Sequence, residues 1–190
     1  MTNNPTRQRI LDKTAELLEM QGYHATGLNQ IIKESGAPRG SLYYYFPEGK
    51  EELAAEAVRD NAERMVAHAR QALAAVADPA EAVYQMIVGI AHHAADSGCQ
   101  GGAPLAAVAL EASATSERLR TVCREGYAAL AVPFAEKLVG AGLPPARAER
   151  LGVFITAALE GAVILTRVQQ DPAALTAVAE EIRLLIQQAV

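Results

Sequence analysis

Apolar residues recur at helical spacing along most of the chain, most clearly in residues 26–46. The first half of this segment has one apolar face, made by Leu28, Ile31 and Ile32. Gly36 follows where that helix should end, because only glycine enters the left-handed region without a steric cost. Leu42 and Phe46 are four residues apart and share one face of a second helix, which follows Pro38. The pattern predicts two short helices joined by a tight turn.

The opposite face of the second short helix is polar and aromatic. Its residues are Arg39, Ser41, Tyr44 and Tyr45. An arginine contacts phosphate or guanine, hydroxyl groups contact phosphate oxygens, and tyrosine rings contact thymine methyl groups. Three consecutive tyrosines point in three directions, and we expect Tyr43 and Tyr44 to be the two that reach DNA. Because an amphipathic helix over residues 7–23 precedes this pair, the sequence predicts a three-helix unit with a DNA-binding helix-turn-helix.

The remaining sequence predicts six further helices and no strand, so the expected fold class is all-α. The predicted helices span roughly residues 50–76, 79–96, 104–112, 116–139, 146–169 and 173–189. Asp78 before Pro79 and Asp171 before Pro172 are typical start signals for two of them. We expect an N-terminal three-helix helix-turn-helix domain and a C-terminal six-helix ligand-binding and dimerisation domain. The predicted domains are residues 1–49 and residues 50–190.

Residues 9–46 are RILDKTAELLEMQGYHATGLNQIIKESGAPRGSLYYYF, and GKEELAAEAV follows at residues 49–58. Over residues 7–58 the chain resembles the DNA-binding domain of the TetR family of transcriptional repressors. The segments FPEGKEEL and PLAAVALE are similar to the LmrA/YxaF-type branch. The resemblance implies three plus six helices and a homodimer held by a four-helix bundle of the last two helices. The chain departs from the family where Pro38 replaces a serine cap and where the link Pro47–Gly49 is one residue longer.

The candidate DNA-contacting residues are Thr26, Arg39, Gly40, Ser41, Tyr43, Tyr44 and Lys50. Thr26 is expected to cap the second helix through its hydroxyl and to contact a phosphate. The resemblance places Lys50 near another phosphate. The net charge is -5, but residues 1–50 hold six basic and five acidic side chains. Since the acidic excess lies outside this segment, DNA binding is expected to use a local basic patch.

The last two long helices carry more apolar surface than one partner helix would cover. The candidate dimer-interface residues are Leu151, Ile155, Leu159, Ala162, Val163, Val178, Ile182 and Leu185. Residues 151–168 are also the longest apolar run of the chain. A membrane span there would have to bury Glu160, so we expect a helix of the core or of a dimer interface instead.

The middle of the chain is expected to enclose a ligand pocket. The candidate lining residues are Met65, Met86, Ile90, His93, Leu105, Val108, Glu111, Tyr127, Leu130, Phe134 and Phe154. This mixture of apolar and a few polar side chains suits a site that excludes water and orients a small molecule. For each residue taken alone, ordinary core packing is the competing interpretation.

Two alternative functions remain to be weighed. Cys99 and Cys123 would form a redox switch if the fold brings them together, although two cytoplasmic cysteines are more often buried thiols. An enzyme with a DNA-binding head finds little support, because the dinucleotide-binding, P-loop, nucleophile-elbow and HExxH patterns are all absent from the sequence.

The sequence therefore predicts a ligand-responsive repressor. As a homodimer it would bind a pseudo-palindromic operator in double-stranded DNA, and a small apolar or aromatic effector would release it. We expect no cofactor, no metal, no catalysis and no membrane partner. The N-terminal sequence Met-Thr-Asn-Asn-Pro has no secretory pattern, so we expect a cytoplasmic protein.

Overall fold

The computed structural model describes residues 4–99 and 104–190. Within those ranges the regular elements are all helices, which confirms the predicted all-α class. Their bounds are α1 Pro5–Ala25, α2 Leu28–Ser35, α3 Arg39–Tyr45, α4 Lys50–Ala74, α5 Pro79–Asp96, α6 Pro104–Ala112, α7 Glu117–Gly140, α8 Pro145–Gln169 and α9 Ala173–Ala189. The boundaries predicted from sequence agree with these to within about two residues. The loop expected at residues 98–102 lies partly outside the described residues.

The helix-turn-helix is formed as the sequence predicts. Gly36 ends α2 in the left-handed region, with φ 63° and ψ 16°. Pro38 is the N-cap residue of α3 and makes no side-chain capping bond. α1 packs against both short helices and contains a non-helical residue, Gly22, with φ 80° and ψ 177°. The last turn of α1 is therefore set off from the rest of the helix by a kink.

By packing, the chain divides into two compact units. The first unit comprises the described residues of Met1–Glu63 and Ala103–Gly126, and the second those of Arg64–Gly102 and Tyr127–Val190. In the first unit α6 packs on α1, and in the second α5 and α8 pack on α9. The functional division predicted at residue 49 stays a prediction, since packing joins α6 and the start of α7 to the N-terminal helices.

The second unit has a continuous apolar core supplied by the end of α4 and by α5, α7, α8 and α9. Asp78 starts α5 as predicted, because its carboxylate accepts a hydrogen bond of 2.7 Å from the backbone N–H of Glu81. Within this unit α7 and α8 approach closely at Gly152, where an added Cβ would lie 2.6 Å from the carbonyl oxygen of Ala131. Only glycine permits this crossing without moving a backbone.

Half of the predicted dimer-interface residues are core residues of a single chain. Leu151, Ile155, Ala162 and Ile182 are buried. They lie on the side of α8 and α9 that faces the core of the second unit, so they are not available to another chain. Leu159, Val163, Val178 and Leu185 are half-buried against the same core. The prediction was wrong for the buried four because sequence spacing identifies an apolar stripe without saying which surface covers it.

Candidate nucleic-acid interface and effector groove

Helix α3, the predicted DNA-reading helix, presents a polar and aromatic face to solvent. Leu42 and Phe46 are fully buried and anchor the helix to the first unit. Arg39 and Gly40 are exposed, while the Tyr44 and Tyr43 side chains are 77% and 44% exposed. Cationic, small and phenolic groups are thus held on one short helix whose other side is fixed. This arrangement suits entry into a major groove, where such groups contact phosphates and base edges.

An edge-to-face row of rings supports the end of α3. Tyr45 is half-buried, and its ring centroid lies 5.0 Å from that of Tyr44 and 6.4 Å from that of Phe46. The guanidinium of Arg7 lies 5.4 Å from the centroid of Phe46 and forms a 2.8 Å ion pair with Glu56. Contacts from α1 and α4 therefore hold the aromatic end of α3 in place.

Thr26 does not have the capping role predicted for it. The N-cap residue of α2 is Gly27, and no side chain caps that helix. Thr26 is buried, and its hydroxyl donates a hydrogen bond of 2.7 Å to the carbonyl oxygen of Gly22. The kink in α1 leaves this carbonyl without a helical partner, so the hydroxyl satisfies it. A phosphate contact from the Thr26 side chain does not fit this burial.

Lys50 starts α4 as predicted, but its ammonium group is turned toward the end of α1. The Nζ atom lies 4.4 Å from the centroid of the Tyr23 ring and donates a 3.4 Å hydrogen bond to the carbonyl oxygen of His24. Partial burial lowers the pKa of Lys50, and the charge of Glu111 opposes that shift. A phosphate contact by Lys50 stays a prediction.

Glu111, which was predicted to line a ligand pocket, joins α6 to the end of α1 instead. Its carboxylate accepts a 2.9 Å hydrogen bond from the backbone N–H of His24. A side chain at Gly22 would collide with this carboxylate, because an added Cβ would lie 1.8 Å from Oε1. The tie spans 87 residues of sequence, and no local pattern indicates it.

The second unit contains an apolar groove between α7 and α8, with a volume of about 580 Å³. The lining residues are Tyr127, Ala128, Ala131, Val132, Ala135, Glu149, Val153, Thr156, Ala157 and Glu160. Four alanines leave the space open, and the volume lies within the range of ligand sites in proteins. The Thr156 hydroxyl donates to the carbonyl oxygen of Gly152 at 2.9 Å, so the carboxylates are the main remaining acceptors.

Of the predicted pocket residues, only Tyr127 lines this groove. Met86, Leu130 and Phe134 are buried in the second unit, Leu105 and Val108 are buried in the first, and Ile90 packs against the second unit's core. Met65, His93 and Phe154 are exposed. The buried residues among them fill the core because their side chains are long, whereas the groove exists where side chains are small. A ligand contact by the exposed ones stays a prediction.

Sequence reasoning did not assign three polar residues of the groove to a ligand site, namely Glu149, Thr156 and Glu160. The Oε2 atom of Glu160 is buried and has no hydrogen-bond partner among the described residues. Burial raises the pKa of the Glu160 carboxyl to about 7. A glutamate inside the longest apolar run of the sequence was the signal that could have identified it.

The two cysteines are free and buried. Cys99 belongs to the second unit and Cys123 to the first. Burial raises the pKa of the Cys123 thiol to about 11, so the reactive thiolate is scarce at neutral pH. This environment is typical of a structural thiol and gives the redox alternative no support.

Two protein-family models match the chain. Residues 10–57 match the bacterial regulatory proteins of the tetR family, and residues 79–181 match the C-terminal domain of LmrA/YxaF-like transcriptional regulators. The chain therefore belongs to the TetR family of DNA-binding transcriptional regulators, with an LmrA/YxaF-like C-terminal domain. The family and branch predicted from the sequence are confirmed.

Individual relatives agree with this assignment. The chain is 40% identical over 181 residues to the uncharacterized HTH-type transcriptional regulator YxaF of Bacillus subtilis, covering 95% of each protein. It is 39% identical over 166 residues to the HTH-type transcriptional regulator LmrA of the same species, covering 87% of this chain and 88% of LmrA. The fold matches a crystal structure of the regulatory protein TetR from Rhodobacter sphaeroides with a TM-score of 0.82, at 18% identity, over 95% of this chain and 98% of that one. These relatives are transcriptional regulators rather than enzymes.

Proposed function

We propose that this chain is a cytoplasmic, ligand-responsive repressor. It binds a pseudo-palindromic operator as a homodimer and leaves the operator when a small apolar or aromatic effector binds in the second unit. The observation that carries the proposal is the face of α3, where Arg39, Tyr43 and Tyr44 are exposed while Leu42 and Phe46 fix the helix from behind. A rigid helix with these groups has the chemistry of major-groove recognition.

The surface of α8 supports the homodimer. Apolar side chains that are about half exposed or more run along this helix outside the groove, namely Phe154, Ile164, Leu165 and Val168. By length and composition α8 could cross a membrane. However, its apolar part contains Glu160, whose charge would then be buried in lipid. A second copy of the chain would cover the apolar side chains without that cost. Two-fold pairing also places two recognition helices on one operator, which accounts for a pseudo-palindrome.

The contact between Glu111 and His24 supports coupling between α6 and the end of α1. Glu111 lies within the segment that matches the LmrA/YxaF-like C-terminal domain, while His24 lies within the helix-turn-helix match. A shift of α6 would therefore act on the end of α1 through a direct hydrogen bond. The effector changes operator affinity only through its different affinities for the two conformations.

The experiment is selection of operator DNA from a random duplex library, followed by gel-shift titration at fixed salt. We expect enrichment of a two-fold symmetric sequence bound by two chains. Arg39→Ala and Tyr44→Ala should each weaken binding by about 1–3 kcal/mol if they contact base edges. Arg124→Ala, which removes an exposed arginine from α7, is the matched control and should have little effect. Unchanged affinity in both α3 variants would remove α3 from the recognition role.

A further inference from the structure

The groove between α7 and α8 has an unbalanced charge. Its ionisable lining residues are Tyr127 on α7 and Glu149 and Glu160 on α8, and none of the ten lining residues is basic. The remaining residues are alanines, valines and one threonine whose hydroxyl already donates to a carbonyl. The groove therefore offers negative charge and apolar surface, and no positive charge to an anionic ligand.

One oxygen of the Glu160 carboxylate is buried without a hydrogen bond from the described residues that would explain its position. A buried carboxylate is normally paired or multiply hydrogen-bonded, because leaving it alone is costly. The Oε2 atom of Glu160 is buried and departs from this rule, because it has no partner among the described residues. A polar group that weakens the fold and lines a cavity is best explained by a bound partner.

We propose that the α7–α8 groove binds an organic monocation with an apolar body, and that Glu160 is its counter-ion. The positive charge would lie against the Glu160 carboxylate, where the apolar surroundings strengthen the attraction. The Tyr127 ring offers a second favourable contact, since aromatic faces attract quaternary ammonium and similar cations. The alanines and valines would cover the rest of the ligand.

This inference names the chemical class of the effector and rests on the proposed function only for its regulatory consequence. Binding itself does not require operator DNA. The cation class can therefore be tested on the full chain in the absence of nucleic acid, and failure of operator recognition would leave the result intact.

The test uses two ions of nearly the same shape and opposite charge, tetraphenylphosphonium and tetraphenylborate. Each is titrated calorimetrically into the full-length protein at about pH 8, where Glu160 is ionised. We expect the wild-type protein to bind one phosphonium ion per chain and to prefer it over the borate by about tenfold or more, which corresponds to about 1.4 kcal/mol. Glu160→Gln should reduce that preference by about the same factor.

Two variants act as controls for overall charge. Glu149→Gln removes an exposed carboxylate from the same groove and should change the preference far less than Glu160→Gln does. Glu160→Asp keeps the charge and should retain a preference for the cation. Equal affinity of the wild-type protein for the two ions, or no binding of the phosphonium ion, would overturn the proposal. An unchanged preference in Glu160→Gln would overturn it as well, because Glu160 would then not be the counter-ion.

Discussion

Glu111 in the first unit and Glu160 in the second differ in their hydrogen bonding. Glu111 lies on an exposed position of α6, yet its carboxylate is bonded to the backbone N–H of His24 and fills the space beside Gly22. Glu160 lies in an apolar groove, and its Oε2 atom has no partner among the described residues. The first carboxylate ties two helices together, while the buried Oε2 atom of the second has no such bond among the described residues.

The two units therefore differ in how polar side chains are hydrogen-bonded. In the first unit the carboxylate of Glu111 bonds to the backbone N–H of His24, and the hydroxyl of Thr26 bonds to the carbonyl of Gly22. A unit of this kind holds a recognition helix in one orientation. In the second unit the Oε2 atom of Glu160 has no partner among the described residues. Under our proposal a bound cation would pair with this carboxylate and favour the conformation that binds it.

Breaking the tie in the first unit should have the largest effect. Gly22→Ala forces a side chain into a conformation reserved for glycine and against the Glu111 carboxylate. We expect a loss of about 4 kcal/mol in the free energy of unfolding, from backbone strain together with the lost hydrogen bond to His24. Urea unfolding measures this loss.

Gly89→Ala is the matched control for that substitution. Gly89 is exposed within α5, and nothing lies within 4 Å of an added Cβ. Alanine there should stabilise the protein by up to about 1 kcal/mol, since it favours helix. Similar losses in both variants would show that the Gly22 site is not specially constrained.

Glu160→Gln should reveal the cost of the unpaired charge through its pH dependence. Burial raises the pKa of this carboxyl from 4.5 to about 7. Between those values the folded protein holds a proton that the unfolded chain has lost, so wild-type stability falls as pH rises through this window and is lowest above it. The stability gap in favour of Glu160→Gln should widen by at most about 3 kcal/mol from about pH 4.5 to about pH 8. Urea unfolding at both pH values measures it, and a constant gap would contradict the burial of an ionisable Glu160.

Glu111→Gln should give the smallest effect and the opposite sign. The amide oxygen can still accept the bond from His24, so we expect a loss below about 1 kcal/mol. Because the wild-type carboxylate is already paired, the substitution should not stabilise the protein at about pH 8, unlike Glu160→Gln. Stabilisation by both substitutions would erase the contrast between the two units.

The helices and the recognition face followed from short-range sequence patterns. Gly36 ends α2 and Pro38 precedes α3. Leu42 and Phe46, which share one face, lie within a few residues of them. Local backbone preferences and helical periodicity are enough to predict such features.

Long-range contacts and the α7–α8 groove could not be predicted in the same way. The tie between Glu111 and His24 joins residues far apart in sequence. Helix α9 packs against one side of α8, and the apolar residues of α8 on the core side are buried. Ile155 is therefore buried, whereas Leu165 is exposed. The groove arises where α7 and α8 carry small residues. The pattern of apolar positions does not distinguish small from large side chains, so it does not predict such a gap in packing.

Operator affinity with and without a bound groove ligand tests the link between the two units most directly. Gel-shift titration of the selected operator is performed with saturating tetraphenylphosphonium, and calorimetry of tetraphenylphosphonium is performed with saturating operator. We predict that each ligand weakens the other by the same factor, about 5- to 150-fold. Unchanged operator affinity while the phosphonium ion occupies the groove would contradict the account, because the groove would then not be coupled to the recognition helix.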